Sequence, residues 1–317
     1  MATSVTQVRG VRVGHASTPD GASGVSVVLF EDPAPTVVDV RGGASTSYDT
    51  ASLALDATFG RRWAIFFSGG SLYGLDAARG VRTRILELGK GQQAFANPNP
   101  LVPISGATLF DLPPKLGSIP DYLPLGYEAA RVASKQAFAS GSIGAGSGST
   151  VGKYLGREFA MRGGLGTAAA SAGPNAMVGV LVAVNSVGAV RDPSTGRWIA
   201  GARRSKGRII DPTAGIGPDR LRARASLGTN LVSVVTDVRV DRAVLQRTAV
   251  IAQTGLATVV IPANTATDGD LVFASSTERV RLASATERPG GIADRLGWLA
   301  ARLVGAAVLA AVRAANA

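Results

Sequence analysis

The stretch LGTNLVSVVTD, residues 227–237, organises the interpretation of the whole chain. Valine, leucine and threonine dominate it, which predicts a buried strand. Gly228 and Thr229 stand where this strand starts, and a long basic segment rich in glycine, proline and arginine precedes them. Such a segment is typical of a loop. Cutting the Gly228–Thr229 bond would make Thr229 a new N-terminus at the mouth of a strand, although an ordinary turn before a strand is the plain alternative.

The composition supports a large core and excludes several kinds of site. The chain has 317 residues, 46% of them hydrophobic, which is enough for one large domain or two smaller ones. It has no cysteine, so disulfides and thiolate metal sites are excluded. The one histidine, His15, excludes a multi-histidine zinc site and leaves a Ser-His-Asp triad only if His15 serves it. Because His15 follows VRVG at the end of a predicted strand, we expect it to have a local structural role.

The charge and hydropathy patterns predict a soluble, cytoplasmic protein. The formal net charge is +11, and its densest part, residues 191–224, has nine Lys/Arg against three Asp. Aromatic residues are not interleaved with these charges as a base-stacking surface requires, so a solvated basic loop is favoured over nucleic-acid binding. Residues 1–4 begin no secretory signal, and the longest apolar runs, such as 303–312, are too short to cross a bilayer. We therefore expect neither a nucleic-acid nor a membrane partner.

Apolar runs and turn clusters predict many strands and a few long helices. Glycine, proline and aspartate clusters separate the first strands, as in an antiparallel meander. The helix over 241–255 has Asp241 as its N-cap and Gly255 as its C-cap. This mixture favours a layered α+β fold over a Rossmann-type repeat. The predicted strands are 11–13, 24–30, 36–40, 63–67, 176–190, 231–238, 257–261 and 271–274, and the predicted helices are 51–59, 76–89, 126–139, 241–255 and 292–313.

Two glycine-rich stretches come close to known motifs without satisfying them. Residues 69–73, GGSLY, lack the final glycine of a nucleophile elbow. Residues 147–154, SGSTVGKY, have serine where a Walker A motif needs its first glycine, and tyrosine where it needs serine or threonine after the lysine. Lys153 still stands out, because the tight backbone of a glycine-rich loop would hold its amine at a fixed place.

A hydroxyl nucleophile needs a base, and we do not expect the one histidine to serve. An α-amino group could serve, but it is available only if Thr229 is the first residue of a chain. The α-amino group of a new N-terminus has a reference pKa of about 7.7–8.0, nearer neutrality than a lysine. One cut before Thr229 would thus create both nucleophile and base on one residue. Asp268 or Asp270 could hold that amine. Asn185, at a strand end, could donate to a developing oxyanion or form an Asx-turn, and Lys153 could donate there or tune the hydroxyl.

Ordered blocks of sequence over nearly the whole chain resemble those of one known family, the L-aminopeptidase/D-esterase-amidase family of self-processing hydrolases. This family includes β-peptidyl aminopeptidases and the 6-aminohexanoate (nylon) oligomer hydrolases. The blocks are GVRVGH at 10–15, VDVRGG at 38–43, SGGSxYGLDA at 68–77, GAGxG at 144–148 continuing to Gly152-Lys153, GGLG at 163–166, VAVNxVG at 182–188, and Thr229 with Thr236-Asp237.

The resemblance implies the fold and a self-cleavage. The implied fold is an α+β sandwich of four layers, αββα, like that of N-terminal-nucleophile hydrolases, in a single domain over 1–317. The implied cleavage at Gly228–Thr229 gives an α chain, 1–228, and a β chain, 229–317. Thr229 is then the N-terminal nucleophile of the β chain, and no metal or organic cofactor is needed.

The nylon oligomer hydrolase branch matches the candidate site residues best. In that branch a lysine and an asparagine assist the threonine, and they match Lys153 and Asn185. An Asp-x-Asp pair matches Asp268 and Asp270, whereas the β-aminopeptidase branch has Ser-x-Glu at this turn.

Two residues beside the nucleophile depart from that branch. It usually has asparagine before the nucleophile and threonine after it, and here Gly228 and Asn230 stand there. Glycine before the nucleophile occurs elsewhere in the family, so cleavage is still implied. Ser226 is the alternative nucleophile, and it ranks lower because it is not at the strand start.

The sequence therefore predicts an amidohydrolase or aminopeptidase that hydrolyses small peptides or ω-amino-acid oligomers through an acyl-enzyme on Thr229. Tyr73, Phe110 and Tyr127 are candidate substrate-binding residues, each with ordinary packing as the alternative. The resemblance implies a homo-oligomer, a tetramer of αβ units. The alternative functions are a non-catalytic small-molecule-binding relative of the same fold and, from the charge, nucleic-acid binding.

Overall fold

The structure is a computed structural model of the chain, and it describes residues 3–93, 98–112, 118–204, 207–215, 227–282 and 290–317. The strands are β1 (Val11–Ser17), β2 (Gly24–Val40), β3 (Thr46–Tyr48), β4 (Arg61–Ser68), β5 (Ile104–Thr108), β6 (Thr150–Val151), β7 (Met161–Arg162), β8 (Gly164–Gly173), β9 (Ala176–Asn185), β10 (Ala189–Arg191), β11 (Trp198–Ala200), β12 (Thr229–Val238), β13 (Val260–Ile261) and β14 (Leu271–Val280). The helices are α1 (Ala77–Glu87), α2 (Tyr122–Arg131), α3 (Pro212–Gly215), α4 (Arg242–Val259) and α5 (Gly291–Ala315).

β2 is a 17-residue strand that links two halves of one nine-stranded sheet. Its first part pairs with β1 and β4, and its last part pairs with β14, within the order β3-β5-β4-β2-β14-β12-β9-β8. The register shifts between Leu29 and Ala34, near Pro33, because a proline has no N–H to give to the ladder. The two strands that the sequence predicted on either side of this point are therefore one continuous strand.

Three apolar clusters divide the fold into four layers. One cluster packs α1 and α2 on the outer face of the half-sheet that contains β4 and β5. A second fills the space between the two half-sheets, where Phe67 and Phe273 stack with 6.5 Å between their ring centroids. The third packs α4 and α5 on the outer face of the half-sheet that contains β9, β12 and β14. The order helix, sheet, sheet, helix confirms the predicted αββα sandwich.

β12 is the central strand of the second half-sheet, and it positions the candidate nucleophile. All ten of its residues are buried. It runs antiparallel to β9, with Thr229 opposite Asn185, and parallel to β14, with Leu231 beside Leu271. Because β14 is parallel and begins at Leu271, the turn before it lies next to Thr229. The topology thus gathers three separate stretches of chain at one sheet end.

α4 and α5 form the outer layer over β12. A Cβ at Gly255 would lie 2.0 Å from the Ala301 carbonyl oxygen, so this glycine permits the close approach of the two helices. The predicted C-cap at Gly255 is therefore wrong: α4 continues to Val259, and the predicted strand over 257–261 shrinks to β13. Among the described residues, α5 alone is long and apolar enough for a membrane span by length and composition, and half of its apolar window is buried in the protein.

Two other predicted helices need correction. α2 ends at Arg131, so the helix predicted over 126–139 is wrong in its second half. Beyond α2 the backbone of Ser134 pairs with Val13 at 2.9 and 3.0 Å, which takes the chain away from the helix axis. The helix predicted over 51–59 is only a 3-10 turn, Ala51–Leu53.

Candidate active site

The Thr229 hydroxyl lies beside the carbonyl group that it would attack. Thr229 is the first residue of β12, and it is 5% exposed. Its Oγ1 donates to the Gly228 carbonyl oxygen at 2.5 Å, and that oxygen also accepts the Gly269 N–H at 2.9 Å. A Cβ at position 228 would lie 2.2 Å from Asp268 Oδ1 and 2.5 Å from the Val187 nitrogen. The Gly228–Thr229 bond is therefore held in a slot that suits glycine, with two donors on its oxygen.

Lys153 brings a buried amine to the end of β9. It begins the 3-10 turn Lys153–Leu155 directly after Gly152, whose φ of 81° favours glycine. Its Nζ donates to the Asn185 carbonyl oxygen at 2.6 Å and to Asn185 Oδ1 at 2.8 Å. Burial, and next the charge of Arg157, lower the pKa of Lys153 to about 7. At neutral pH a large share of this amine is therefore uncharged and able to accept a proton.

Asn185 lies opposite Thr229 in the ladder, and its side-chain amide has a fixed orientation. Its Oδ1 accepts hydrogen bonds from the Lys153 Nζ and from the Thr150 N–H, the latter at 3.0 Å. Its Nδ2 donates to the Phe110 carbonyl oxygen at 3.0 Å. In the uncut chain the Gly269 N–H, rather than the Asn185 side chain, donates to the Gly228 carbonyl oxygen. The role of Asn185 as an oxyanion donor stays a prediction.

Asp268 and Asp270 are both fully buried in the turn beside Thr229, and Asp270 binds the residue that follows it. Asp268 accepts the Thr265 hydroxyl at 2.6 Å and backbone N–H at 3.1 Å. Asp270 accepts the Asn230 backbone N–H at 2.6 Å, the Asn230 side-chain amide at 2.9 Å and the Asn264 N–H at 2.8 Å. Burial and the neighbouring Asp268 raise the pKa of Asp270. Asn230, the residue after Thr229, is thus tied to this turn by its backbone and its side chain.

The turn after β2, residues 41–44, holds the backbone of the aspartate turn, although its sequence predicts only a turn. The backbone N–H groups of Arg41 and Gly42 both donate to the Asp270 carbonyl oxygen at 3.0 Å. A Cβ on Gly42 would lie 2.3 Å from backbone atoms of both Asp268 and Asp270. A pair of glycines directly after a strand is the sequence signal for such a close approach of two backbones.

The structure separates the three candidate substrate-binding residues. The backbone of Phe110 contacts Asn185, so Phe110 belongs to the wall of the site. Tyr73 is half exposed on the 3-10 segment Ser71–Asp76. Tyr127 lies on α2, in the outer helix layer, and its hydroxyl donates to Glu87 at 2.9 Å. Among the described residues, no hydrogen bond joins Tyr73 or Tyr127 to Thr229.

The remaining candidates lie elsewhere or outside the described residues. Ser226 is outside them. His15 is in β1, where its Nδ1 is 2.9 Å from Ser26 Oγ, and burial lowers the pKa of His15 to about 4. Within the described ranges, no three His, Asp or Glu side chains are grouped so that they could bind a metal ion.

Comparisons with known proteins identify relatives of the whole chain. The model of peptidase family S58 matches residues 3–317. An uncharacterized aminopeptidase of Mycobacterium leprae is 35% identical over 99% of this chain and 91% of its own length. A 6-aminohexanoate-oligomer endohydrolase of Kocuria sp. is 28% identical over 96% of this chain and 84% of its own length.

Solved structures share the fold at lower sequence identity. The L-aminopeptidase D-Ala-esterase/amidase from Ochrobactrum anthropi superposes with a TM-score of 0.68 at 19% identity, covering 99% of this chain and 88% of that one. It is described as a variant among the Ntn hydrolase fold. A β-aminopeptidase from Burkholderia sp. gives a TM-score of 0.66 at 21% identity, covering 98% and 86% of the two chains.

Proposed function

Because the chain belongs to peptidase family S58 and is thus a hydrolase of peptide or amide bonds, we propose that it cuts itself between Gly228 and Thr229 and then uses Thr229 as an N-terminal nucleophile. One observation carries this proposal. The Thr229 hydroxyl lies against the Gly228 carbonyl group, whose oxygen is already bonded to the Gly269 N–H. Attacker, target and a donor for the developing charge are together before any reaction.

Self-cleavage is an N-to-O acyl shift followed by hydrolysis. The Thr229 oxygen bonds to the carbonyl carbon of Gly228, the C–N bond breaks, and the Thr229 nitrogen leaves as an amine. The neutral Lys153 amine, bound to Asn185 opposite Thr229 in the ladder, takes the hydroxyl proton and returns it to the leaving nitrogen. Water then hydrolyses the ester, which frees the Gly228 carboxylate and the Thr229 hydroxyl.

The mature enzyme repeats this chemistry on a substrate amide. The Thr229 α-amine now acts as the base, and the hydroxyl attacks the substrate carbonyl carbon. The Gly269 N–H loses its bond to Gly228 and is free to donate to the substrate carbonyl oxygen. The amine part of the substrate leaves, and water hydrolyses the acyl-enzyme.

The substrates proposed are small peptides or ω-amino-acid oligomers. Relatives over nearly the full chain are named aminopeptidase and 6-aminohexanoate-oligomer endohydrolase, and both names describe amide hydrolysis. The deeply buried nucleophile also favours a small substrate, because Thr229 is only 5% exposed in the uncut chain.

Replacing the nucleophile tests the proposal. Wild-type protein should run on a denaturing gel as fragments 1–228 and 229–317, and N-terminal sequencing of the smaller one should begin at Thr229. Thr229→Ala should remain a single, inactive chain, whereas the neighbouring hydroxyl variant Ser226→Ala should be cut normally. A cut or active Thr229→Ala would contradict the proposal. An uncut wild-type chain that binds small amides would support the non-catalytic alternative.

A further inference from the structure

A second buried polar cluster lies beside the candidate active site, and the proposed chemistry does not use it. The Asp111 side chain is almost fully buried, and its carboxylate accepts the Gly70 N–H and the Ser23 hydroxyl, both at 2.8 Å. Ser23 Oγ is in turn 2.9 Å from the Tyr122 hydroxyl. Burial raises the pKa of Asp111 to about 6, so the group is still mainly ionised at neutral pH.

The fold makes room for this carboxylate. A Cβ on Gly69 would lie 2.1 Å from Asp111 Oδ2, and one on Gly148 would lie 2.8 Å from it. Two glycines from separate glycine-rich stretches therefore approach one buried charge. Burying a carboxylate costs free energy unless donors satisfy it, so its position calls for an explanation beyond filling space.

The backbone of residues 110–112 connects this cluster to the active site. The Phe110 carbonyl oxygen accepts the Asn185 amide at 3.0 Å. The carbonyl oxygens of Asp111 and Leu112 both accept hydrogen bonds from the Arg157 guanidinium. Three consecutive carbonyl groups thus accept side-chain donors, while the Asp111 carboxylate ties the same segment to Gly70 and Ser23.

We propose that Asp111 and Arg157 are positioning residues for Lys153: they hold the 110–112 backbone so that the Asn185 amide oxygen faces the Lys153 amine, and their opposite charges balance the charge on that amine. A carboxamide has one donor end and one acceptor end. As long as the Phe110 carbonyl takes the donor end, the acceptor end points to Lys153. This inference rests on the proposed role of Lys153 in self-cleavage.

The charges around Lys153 give the two residues opposite effects. Arg157 disfavours the ammonium form of Lys153, and Asp111, Asp268 and Asp270 favour it. Removing the Arg157 charge should therefore raise the pKa of Lys153. Removing the Asp111 charge should lower it. A residue that only supported the fold would not move the pH dependence in a direction set by its charge.

The experiment measures the pH profile of self-cleavage, because the uncut chain has no Thr229 amine to confuse it. Full-length precursor from cell-free synthesis is moved to buffers of about pH 5.5 to 9, and loss of the intact chain is timed. The cleavage rate should rise with pH as Lys153 loses its proton, and this rise is the Lys153 limb of the profile. Arg157→Gln should shift the midpoint of the limb up by about one pH unit, and Asp111→Asn should shift it down by a similar amount. Arg157→Lys keeps the charge, so it should slow cleavage with the limb in place. Arg162→Gln is the matched control, since Arg162 also donates to a backbone carbonyl, that of Ser147.

The outcomes separate this inference from the proposed function. Opposite shifts for Arg157→Gln and Asp111→Asn support it, even if both variants are slower. Shifts in the same direction, or limbs that coincide with the Arg162→Gln control, overturn it while the wild type still cuts itself. If Arg157→Gln does not fold, the pH profiles of Asp111→Asn and Arg157→Lys are compared instead. Only Asp111→Asn should then move the Lys153 limb. A wild-type chain that stays intact at every pH overturns the proposed function first.

Discussion

The protonation of one amine controls the chemistry that we propose. Lys153 is buried, and its two oxygen acceptors both belong to Asn185. Its pKa of about 7 places the change from ammonium to amine within the physiological range. Because only the neutral amine can take the Thr229 proton, self-cleavage should speed up as the pH rises through 7.

Replacing Lys153 by arginine tests this role, since a guanidinium stays charged at any ordinary pH. We expect Lys153→Arg to slow self-cleavage by at least about 100-fold, the usual size of a general-base contribution. Lys135→Arg is the control, because Lys135 is a half-exposed partner of Glu31 on the surface. Timed gels at several pH values measure both. A wild-type rate that is flat between about pH 6 and 8, or a fast Lys153→Arg, would remove Lys153 from the mechanism.

At the level of single residues, the sequence predicts which side chains could take part in the chemistry, but not which backbone groups could. The sequence predicts Thr229, Lys153, Asn185, Asp268 and Asp270 because each carries a functional group, and the structure gathers them at one sheet end. It does not single out the Gly269 N–H, since every residue except proline has such a group. Its importance comes from the turn that aims it at Gly228.

The turn 41–44 is the element that most directly supports this geometry. Gly42 has no left-handed φ, so alanine could adopt its backbone conformation, but the Cβ would lie 2.3 Å from backbone atoms of Asp268 and Asp270. Neither neighbour is a flexible side chain that could turn away. We expect Gly42→Ala to push the aspartate turn from Thr229, to slow self-cleavage at least about tenfold, and to lower stability by about 1–3 kcal/mol.

Denaturant unfolding of the uncleavable Thr229→Ala background, with and without Gly42→Ala, measures the stability term. Gly305→Ala is the matched control, because its nearest neighbour is a Val259 methyl group at 3.3 Å and alanine favours a helix. If Gly42→Ala is cut at the wild-type rate and its free energy of unfolding equals that of its parent, then this turn does not support the site.

Elements were predicted where their own residues specify them. The N-cap Asp241 is confirmed by its bond from the Val244 N–H at 2.8 Å. β8, in contrast, was not predicted, because its glycines and alanines have low strand propensity. Those small residues serve the neighbouring layer: a Cβ on Gly166 would lie 1.9 Å from the Ala307 carbonyl oxygen of α5. Contacts between layers decided the conformation there, and a single sequence does not contain them.

Over the whole molecule, the two sides of the proposed cleavage site are interleaved. Strands β12 and β14 of the 229–317 part lie side by side, between β9 and β2 of the 1–228 part. Backbone hydrogen bonds therefore cross between the parts along both edges of this strand pair. α5 also packs on β8 and β9, so the apolar cluster of the second half-sheet contains residues from both parts.

Self-cleavage should consequently cut the chain without separating it. Since separation would break the β9–β12 and β2–β14 pairings and expose the apolar face under α4 and α5, we expect fragments 1–228 and 229–317 to co-elute in a 1:1 ratio on size exclusion and to unfold in one cooperative transition. Uncut Thr229→Ala should elute at the same volume, which controls for shape. Gels of the eluted peak measure the ratio of the fragments, and calorimetry measures the number of unfolding transitions. If the fragments separate under native conditions, or unfold in two thermal transitions, then the interleaved strands do not hold the cut protein together.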